Sequence, residues 1–335
     1  MQLQEKDEAK TSDMYDAEFK KKMLITMMRI REFENGVAEA YLRGMTAGSM
    51  FHLSVGEEAA AVGLGFAMQQ GDFFTTHHRG HGIFIARGAD VKRMYAEVFG
   101  RTEGYCKGKG GSMHIADIHL GHMGANAIVG ANIPISLGGG FSIKYLKQNS
   151  ISVAFFGDGA LNQGVLYESM NMAALWKLPV VFAVINNQYG MGTRIDRASA
   201  SLRFAERAET FGVKGVEIDA MNVEETYKAA KSLFEYVRGG NGPGFILANC
   251  YRFYGHGRKD PSPYRSKEEE ELWQKRDPIL LYRKQLEQES ILLNGEFEKL
   301  EESVREEIAK AIDYAASCSL PAPEELYTDV YSSEA

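Results

Sequence analysis

The chain reads as an α/β protein built on a doubly wound parallel sheet, with helices added at the C-terminal end. Two observations carry that reading. The stretch from Ile151 to Ile185 is strand, helix, strand: an apolar run Ile151 to Phe156, a helical pattern Leu161 to Lys177, and a second apolar run Val180 to Ile185. Short runs rich in β-branched and aromatic residues are strands buried on both faces, and a right-handed crossover joins such strands in parallel. The alternation of strand and helix patterns then continues to Cys250, which builds one parallel sheet covered on both sides.

The same stretch supplies the first candidate site. Gly157-Asp158-Gly159 closes the first strand, and Asn186-Asn187-Gln188-Tyr189-Gly190 closes the second. The crossover brings both to one sheet edge, where open α/β sheets bind ligands. The Asp158 carboxylate and the Asn187 carboxamide oxygen are hard donors, suited to Mg²⁺ held jointly with phosphates. The glycines admit a close ligand, and a helix starting near Ala160 aims its amides at an anion. A tight turn and a polar strand end are the plainer alternative. Asn187 stands 29 positions after Asp158 with a whole βαβ unit between them, which favours a Mg²⁺-diphosphate site. A nicotinamide-binding fingerprint fits worse: Asn162 occupies the place of its third glycine, and a carboxylate there repels pyrophosphate unless a metal intervenes.

Totals narrow the classes. A chain of 335 residues with 44% hydrophobic and 25% charged residues suits a globular protein with a sizeable core. A net charge of −7 argues against nucleic acid as a partner. Cys106, Cys250 and Cys318 are far apart and form no C-x-x-C. No signal-peptide core or long apolar run is visible, so no membrane span and a cytoplasmic protein are expected.

Taken in order, residues 1–13 read as a flexible arm and 14–335 as one domain with a helical C-terminal extension. Asp13 is the expected cap of a helix from Met14 to about Arg43, whose apolar positions recur at helical spacing. Its methionine stripe reads as core or subunit interface. An Ala/Gly-rich helix spans about Glu57 to Gln69, and His52 just ahead of it reads by itself as a structural histidine. Phe73 to Thr76 is a short strand, followed by His77-His78-Arg79-Gly80-His81-Gly82. Zinc at that spacing lacks a cysteine or acidic partner, so anion binding by the Arg79 fork is the better reading. Ala89 to Gly100 is a helix. Gly104 to His114 is glycine-rich with two lysines; the composition suits a phosphate cradle, although it matches no phosphate-loop motif. Ile133 to Tyr145 and Ser201 to Thr210 are helical. Val213 to Ile218 is a strand, Val223 to Val237 a helix begun by Asn222, and Gly244 to Cys250 a strand. Tyr251 to Pro261 has loop composition, and its His256 is unremarkable alone. Glu268 to Lys275, Pro278 to Gln288 and Phe297 to Ala316 are amphipathic helices.

Gly157-Asp158-Gly159 followed about thirty residues later by Asn186-Asn187 is similar to the thiamine diphosphate signature. NQGVLYESMNMAALWKLPVVFAVINNQYGMGT around it resembles the α-subunit of the E1 component of 2-oxo-acid dehydrogenase complexes, the pyruvate and acetoin branches best. The likeness runs from about residue 15 to 330 and implies the diphosphate-binding half of the thiamine diphosphate-binding fold. By that resemblance Asp158, Asn187 and the carbonyl of Tyr189 hold Mg²⁺. Arg79, His78 (tyrosine in many relatives), Gly157, Gly159 and Ala160 hold the cofactor's diphosphate end. Val129, in the segment Gly124 to Gly130, lies against its rings, with Ala127 in place of a usual glycine. His52, His81 and His256 line the approach to the reacting carbon, where imidazoles move protons near neutral pH; His256 also reaches the diphosphate. The implied reaction cleaves acetoin or decarboxylates pyruvate and passes a hydroxyethyl unit to a lipoyl group on an E2 acyltransferase. His78-Arg79-Gly80-His81-Gly82 is more similar to acetoin-type than to pyruvate-type subunits. An E1 β-subunit, which supplies the missing glutamate, implies an α₂β₂ heterotetramer. Gly257 stands where mitochondrial relatives carry a regulatory phosphoserine.

Overall fold

The computed structural model describes residues 16–48 and 50–331; the expected arm at residues 1–13 and the expected cap Asp13 lie outside them. Six parallel strands form one sheet. In chain order they are β1 (Phe73–His77), β2 (His122–Asn126), β3 (Ser152–Gly157), β4 (Val180–Asn186), β7 (Lys214–Asp219) and β8 (Gly244–Asn249). Their spatial order is β2-β1-β3-β4-β8-β7, and every pairing is parallel. From β1 the chain moves one way to β2, then returns to place β3 on the other side. A crevice therefore opens at the carboxyl ends of β1 and β3, the topological switch point where such sheets take ligands.

The doubly wound reading holds in the side chains. Val153, Phe155, Val181, Ala183 and Ile185 belong to one hydrophobic core, whereas the alternating Ala154, Phe156, Val180, Phe182 and Val184 belong to a second on the opposite face. The first core is closed by α1 (Ala17–Leu42), α2 (Glu58–Ala67), α3 (His81–Ala86), α4 (Val91–Val98) and α9 (Val223–Arg238), with the later α11 (Pro278–Gln288) and α12 (Glu296–Ser317) packed on α1. The second is closed by α5 (Asn132–Tyr145), α6 (Gly164–Leu175) and α8 (Phe204–Glu209). Met23, Met27 and Met28 of the α1 stripe are core residues. The cap of α1 is Asp16, whose carboxylate accepts from the Phe19 amide.

One local expectation needs correction. The helix after Asp158 does not begin near Ala160. Asp158–Ala160 is a single 3₁₀ turn, and α6 begins only at Gly164, so no long helix aims its first turn at the crevice from Ala160. His122–Asn126, which carries no continuous apolar run and was assigned no element, is an edge strand. A small hairpin, β5 (Tyr189–Gly190) with β6 (Thr193–Arg194), followed by the short α7 (Ile195–Ala198), was also invisible at this length. The helix Glu268 to Lys275 is present as α10 (Lys267–Gln274). No helix among the described residues is long and apolar enough to cross a membrane.

Candidate active site

At the carboxyl ends of β1, β3, β4 and β8 lies a cavity of about 550 Å³. β3 delivers Gly157, Asp158, Gly159 and Ala160 to its wall; β4 delivers Asn187 and Tyr189; β1 delivers His77, His78 and Arg79. His52, Val129 and His256 line it too, whereas the expected His81 does not. These residues are far apart in sequence and meet because parallel strands end together.

The oxygen donors are held by strained, self-bonded backbone. Gln188 has φ of +76° and Met191 φ of +56°, a left-handed region costly for side chains other than glycine. Gln188 offsets part of that cost by bonding the Asn186 side chain from its amide at 3.2 Å and the Asn186 carbonyl from Nε2 at 3.2 Å. The turn brings β5 close against Asp158: a Cβ added at Gly190 would meet the Gly159 Cα at 3.1 Å, a tight approach, and Asp158 Oδ2 at 3.7 Å, an ordinary contact. Asp158 is buried, and its Oδ2 has no hydrogen-bond partner. Burial pushes its carboxyl up to about 6, against the pull of its own backbone amide and the Arg252 and Arg79 guanidiniums. An orphaned, destabilised carboxylate facing a cavity is a site that gains from a cation.

Asn187 is oriented by a residue that sequence reasoning passed over. Its Nδ2 donates to Glu57 Oε1 at 2.7 Å. This fixes the amide with its oxygen turned away from Glu57, where the Tyr189 amide donates to it at 3.3 Å. Glu57 is fully buried, faces Arg79 Nε at 3.7 Å, and keeps an unpartnered Oε2. Burial pushes it up to about 7, opposed by Arg79 and the Asn187 bond. Its neighbour Glu58 serves the scaffold instead, paired to Arg31 and the Gly56 amide.

Two guanidiniums share the cavity. Arg79 donates to the carbonyls of Leu53 and His256, and thus ties the loop after β8 to the crevice. Arg252, also missed, is 1% exposed, donates to the Tyr254 carbonyl at 3.0 Å and lies 3.4 Å from the Tyr189 carbonyl. Burial, then Arg79 and Arg265, lowers it to about 10. A lone arginine after a strand gives no signal in sequence beyond its place at a carboxyl end. Two buried cations without a full complement of carboxylates call for an anion.

The imidazoles differ in kind. His52 is lowered to about 3 and His256 to about 4, each by burial first and then by the Arg79 charge; burial lowers His78 as well. All three are neutral at physiological pH and line the cavity. His81 does not line it. As the first residue of α3 it points back beneath the wall, with Nδ1 3.2 Å from Glu34 Oε2 and Nε2 3.0 Å from Ser112 Oγ. Burial would raise Glu34; the His81 ring and two bonds from Ser54 outweigh it and hold the carboxyl low. His81 therefore braces the wall from behind, against the expectation that it faces the reacting carbon.

The glycine-rich stretch 104–114 resolves as a structural loop whose amides are already taken. Cys106, Gly108, Gly110 and Gly111 all donate to the Glu97 carboxylate, at 2.8, 3.0, 2.8 and 2.8 Å. Its lysines turn outward: Lys107 pairs with Asp329, and Lys109 with Glu325 and Asp329. The loop is a nest, and a protein carboxylate occupies it where a phosphate would sit.

The open parallel sheet, the crevice at its switch point and this donor set define the class: an α/β protein able to hold a phosphorylated ligand together with a hard cation. Residues 25–324 match the dehydrogenase E1 component family, and the chain belongs to it. It is 39% identical to the pyruvate dehydrogenase E1 component subunit alpha of Rickettsia felis over 331 residues, 99% of this chain and all of that protein. It is 42% identical over 308 residues to the subunit alpha of acetoin:2,6-dichlorophenolindophenol oxidoreductase of Bacillus subtilis, 92% of each chain. It is likewise 42% identical to the Zymomonas mobilis pyruvate dehydrogenase E1 component subunit alpha, over 91% of this chain and 86% of that one.

Proposed function

We propose that this chain is the α-subunit of a thiamine diphosphate-dependent E1 oxidoreductase acting on acetoin or pyruvate in the cytoplasm. The observation that carries the proposal is the pairing, in one cavity, of an orphaned buried carboxylate with two buried guanidiniums. That is the donor set a Mg²⁺-diphosphate needs: hard oxygens for the cation and forked donors for the phosphates. In this reading Asp158, the Asn187 carboxamide oxygen and the Tyr189 carbonyl hold Mg²⁺, with Glu57 fixing the amide. Arg79 and Arg252, with His78, Gly157, Gly159 and Ala160, hold the diphosphate, and Val129 covers the ring end. The chemistry thiamine diphosphate supplies when bound is an electron sink for breaking a carbon–carbon bond beside a carbonyl. The chain's own part is to exclude water and to move protons. His52 and His256 are neutral imidazoles, each with an unpartnered Nδ1. Each takes up or gives back a proton by a change at one ring nitrogen.

The partners that complete this reading are an E1 β-subunit, in an α₂β₂ assembly, and a lipoylated E2. The names of the relatives do not divide pyruvate from acetoin, because both stand at about 40% identity. His78 at the cavity wall, in place of the tyrosine of many relatives, favours acetoin. The experiment is dye reduction by this chain co-expressed with its β-subunit, with Mg²⁺ and thiamine diphosphate present and acetoin, pyruvate and 3-methyl-2-oxobutanoate compared. Turnover of acetoin above the other two supports the proposal in full; pyruvate in first place moves only the substrate. No turnover of any of the three refutes the substrate class.

A further inference from the structure

Three imidazoles from three different elements converge on one point of the crevice. His52 leads into α2, His78 follows β1, and His256 sits in the loop after β8, and one ring nitrogen of each lies within 4.8 Å of the other two. The rings meet edge to face, with centroids 4.5 Å (His52–His78), 4.7 Å (His52–His256) and 5.6 Å (His78–His256) apart. Nδ1 of His52 and Nδ1 of His256 have no hydrogen-bond partner.

We propose that His52, His78 and His256 form a three-imidazole site for a borderline transition cation, Zn²⁺ above all, distinct in its ligands from the oxygen donors around Asp158. The donor chemistry selects the ion. Three neutral nitrogens suit Zn²⁺, Cu²⁺, Ni²⁺ or Co²⁺, whereas Mg²⁺ and Ca²⁺ require oxygen. The electrostatics sharpen that choice. Arg79 and Arg252 line the same cavity and repel any dication, so only a metal with strong bonds to nitrogen gains enough to stay. Zinc bonds of about 2.0–2.1 Å place tetrahedral ligands roughly 3.3 Å apart, so the rings must draw in by at most about 1.5 Å. His78 and His256 are only half-buried and can turn that far. Three protein ligands leave the fourth position to water or an anion.

The site is not the His77-His78-Arg79-Gly80-His81 motif that sequence spacing offers for zinc. Of that motif only His78 takes part. His77 is not one of the converging set, and His81 is engaged by Glu34 and Ser112 behind the wall. The inference also goes beyond the proposed function, because it needs neither thiamine diphosphate nor a β-subunit.

The test is a titration of the metal-free full-length chain with Co²⁺, a coloured stand-in for Zn²⁺. The expected result is one equivalent of low-coordinate Co²⁺, seen as intense visible absorption, displaced by Zn²⁺ and unaffected by excess Mg²⁺. In His78→Tyr the absorption disappears, and Zn²⁺ affinity falls by more than the roughly 10- to 100-fold that loss of an outer-shell partner costs. His256→Ala, a change in a loop, repeats the test should the first variant misfold. Asp158→Asn leaves the absorption intact. Absorption that survives both histidine changes, or that vanishes in Asp158→Asn, overturns the assignment, as does pale, six-coordinate Co²⁺ in the native chain. None of these readouts depends on whether the chain binds thiamine diphosphate, so the two readings fail separately.

Discussion

Replacing Asp158 with asparagine should make the metal-free chain more stable while removing its response to Mg²⁺ and thiamine diphosphate. The carboxyl is raised from 3.8 to about 6 by burial, with Oδ2 facing the cavity unpartnered. Between those two values the folded chain keeps a proton that the unfolded chain has already released, so native stability falls as pH rises through this window. At about 1.36 kcal/mol per pH unit, a shift of roughly two units costs on the order of 3 kcal/mol, fully present above about pH 7 and absent below about pH 4. Asparagine has the same shape, keeps one oxygen for the backbone amides and carries no charge to desolvate. For a chain of this length the unfolding entropy is near 0.7 kcal/mol/K, so the gain corresponds to an upward Tm shift of about 4 °C. Thermal unfolding with a chelator present, at about pH 8 and about pH 3.5, measures it: the variant melts higher at the first and with the native chain at the second. Adding Mg²⁺ and thiamine diphosphate then raises the Tm of the native chain and leaves the variant unmoved. A variant that melts lower than native at pH 8, or a difference independent of pH, would refute the argument that Asp158 is a desolvated charge awaiting a cation.

Two further outcomes follow from other residues. Glu57→Ala removes the acceptor that fixes the Asn187 amide at 2.7 Å. A hydrogen bond to a charged group contributes roughly 1.5–3 kcal/mol, so apparent Mg²⁺ affinity should fall by about 10-fold or more in a calorimetric titration, and Glu57→Gln, which keeps an acceptor, should recover most of it. Glu97→Gln turns one oxygen of the occupied nest into a donor among four donating amides. With two amides left unpaired at about 1–3 kcal/mol each, urea unfolding should show a loss of roughly 2–6 kcal/mol, and hydrogen exchange should quicken at Cys106, Gly108, Gly110 and Gly111.

Most of the sheet was legible because parallel strands buried on both faces are continuous apolar runs: β3, β4 and β8 were placed to within a residue or two. β2 was not, since His122-Met123-Gly124-Ala125-Asn126 is an edge strand that is only half-buried and needs no apolar run. The site was legible where chemistry and chain order coincide, as at Asp158 and Asn187. It was not legible where a side chain's direction decides. His81 and His78 lie three residues apart, yet one faces the cavity and the other braces it, because the first turn of α3 rotates His81 toward Glu34. Glu57 and Arg252 were missed for a related reason. Each is an ordinary charged residue in sequence, and only burial beside Asn187 and Arg79 gives it meaning. The glycine-rich loop shows the converse: its composition suits a phosphate, but Glu97 from α4 fills the nest.

The central claim is that the crevice holds a diphosphate through a cation bound at Asp158, and that turnover depends on it. The most direct measurement is dye reduction by the assembled α and β chains with Mg²⁺ stripped by a chelator and then restored, in the native chain and in Asp158→Asn. Turnover should disappear with the chelator, return with Mg²⁺ in the native assembly, and never return in the variant. Turnover that persists without a divalent cation, or equal rates in Asp158→Asn, would contradict it.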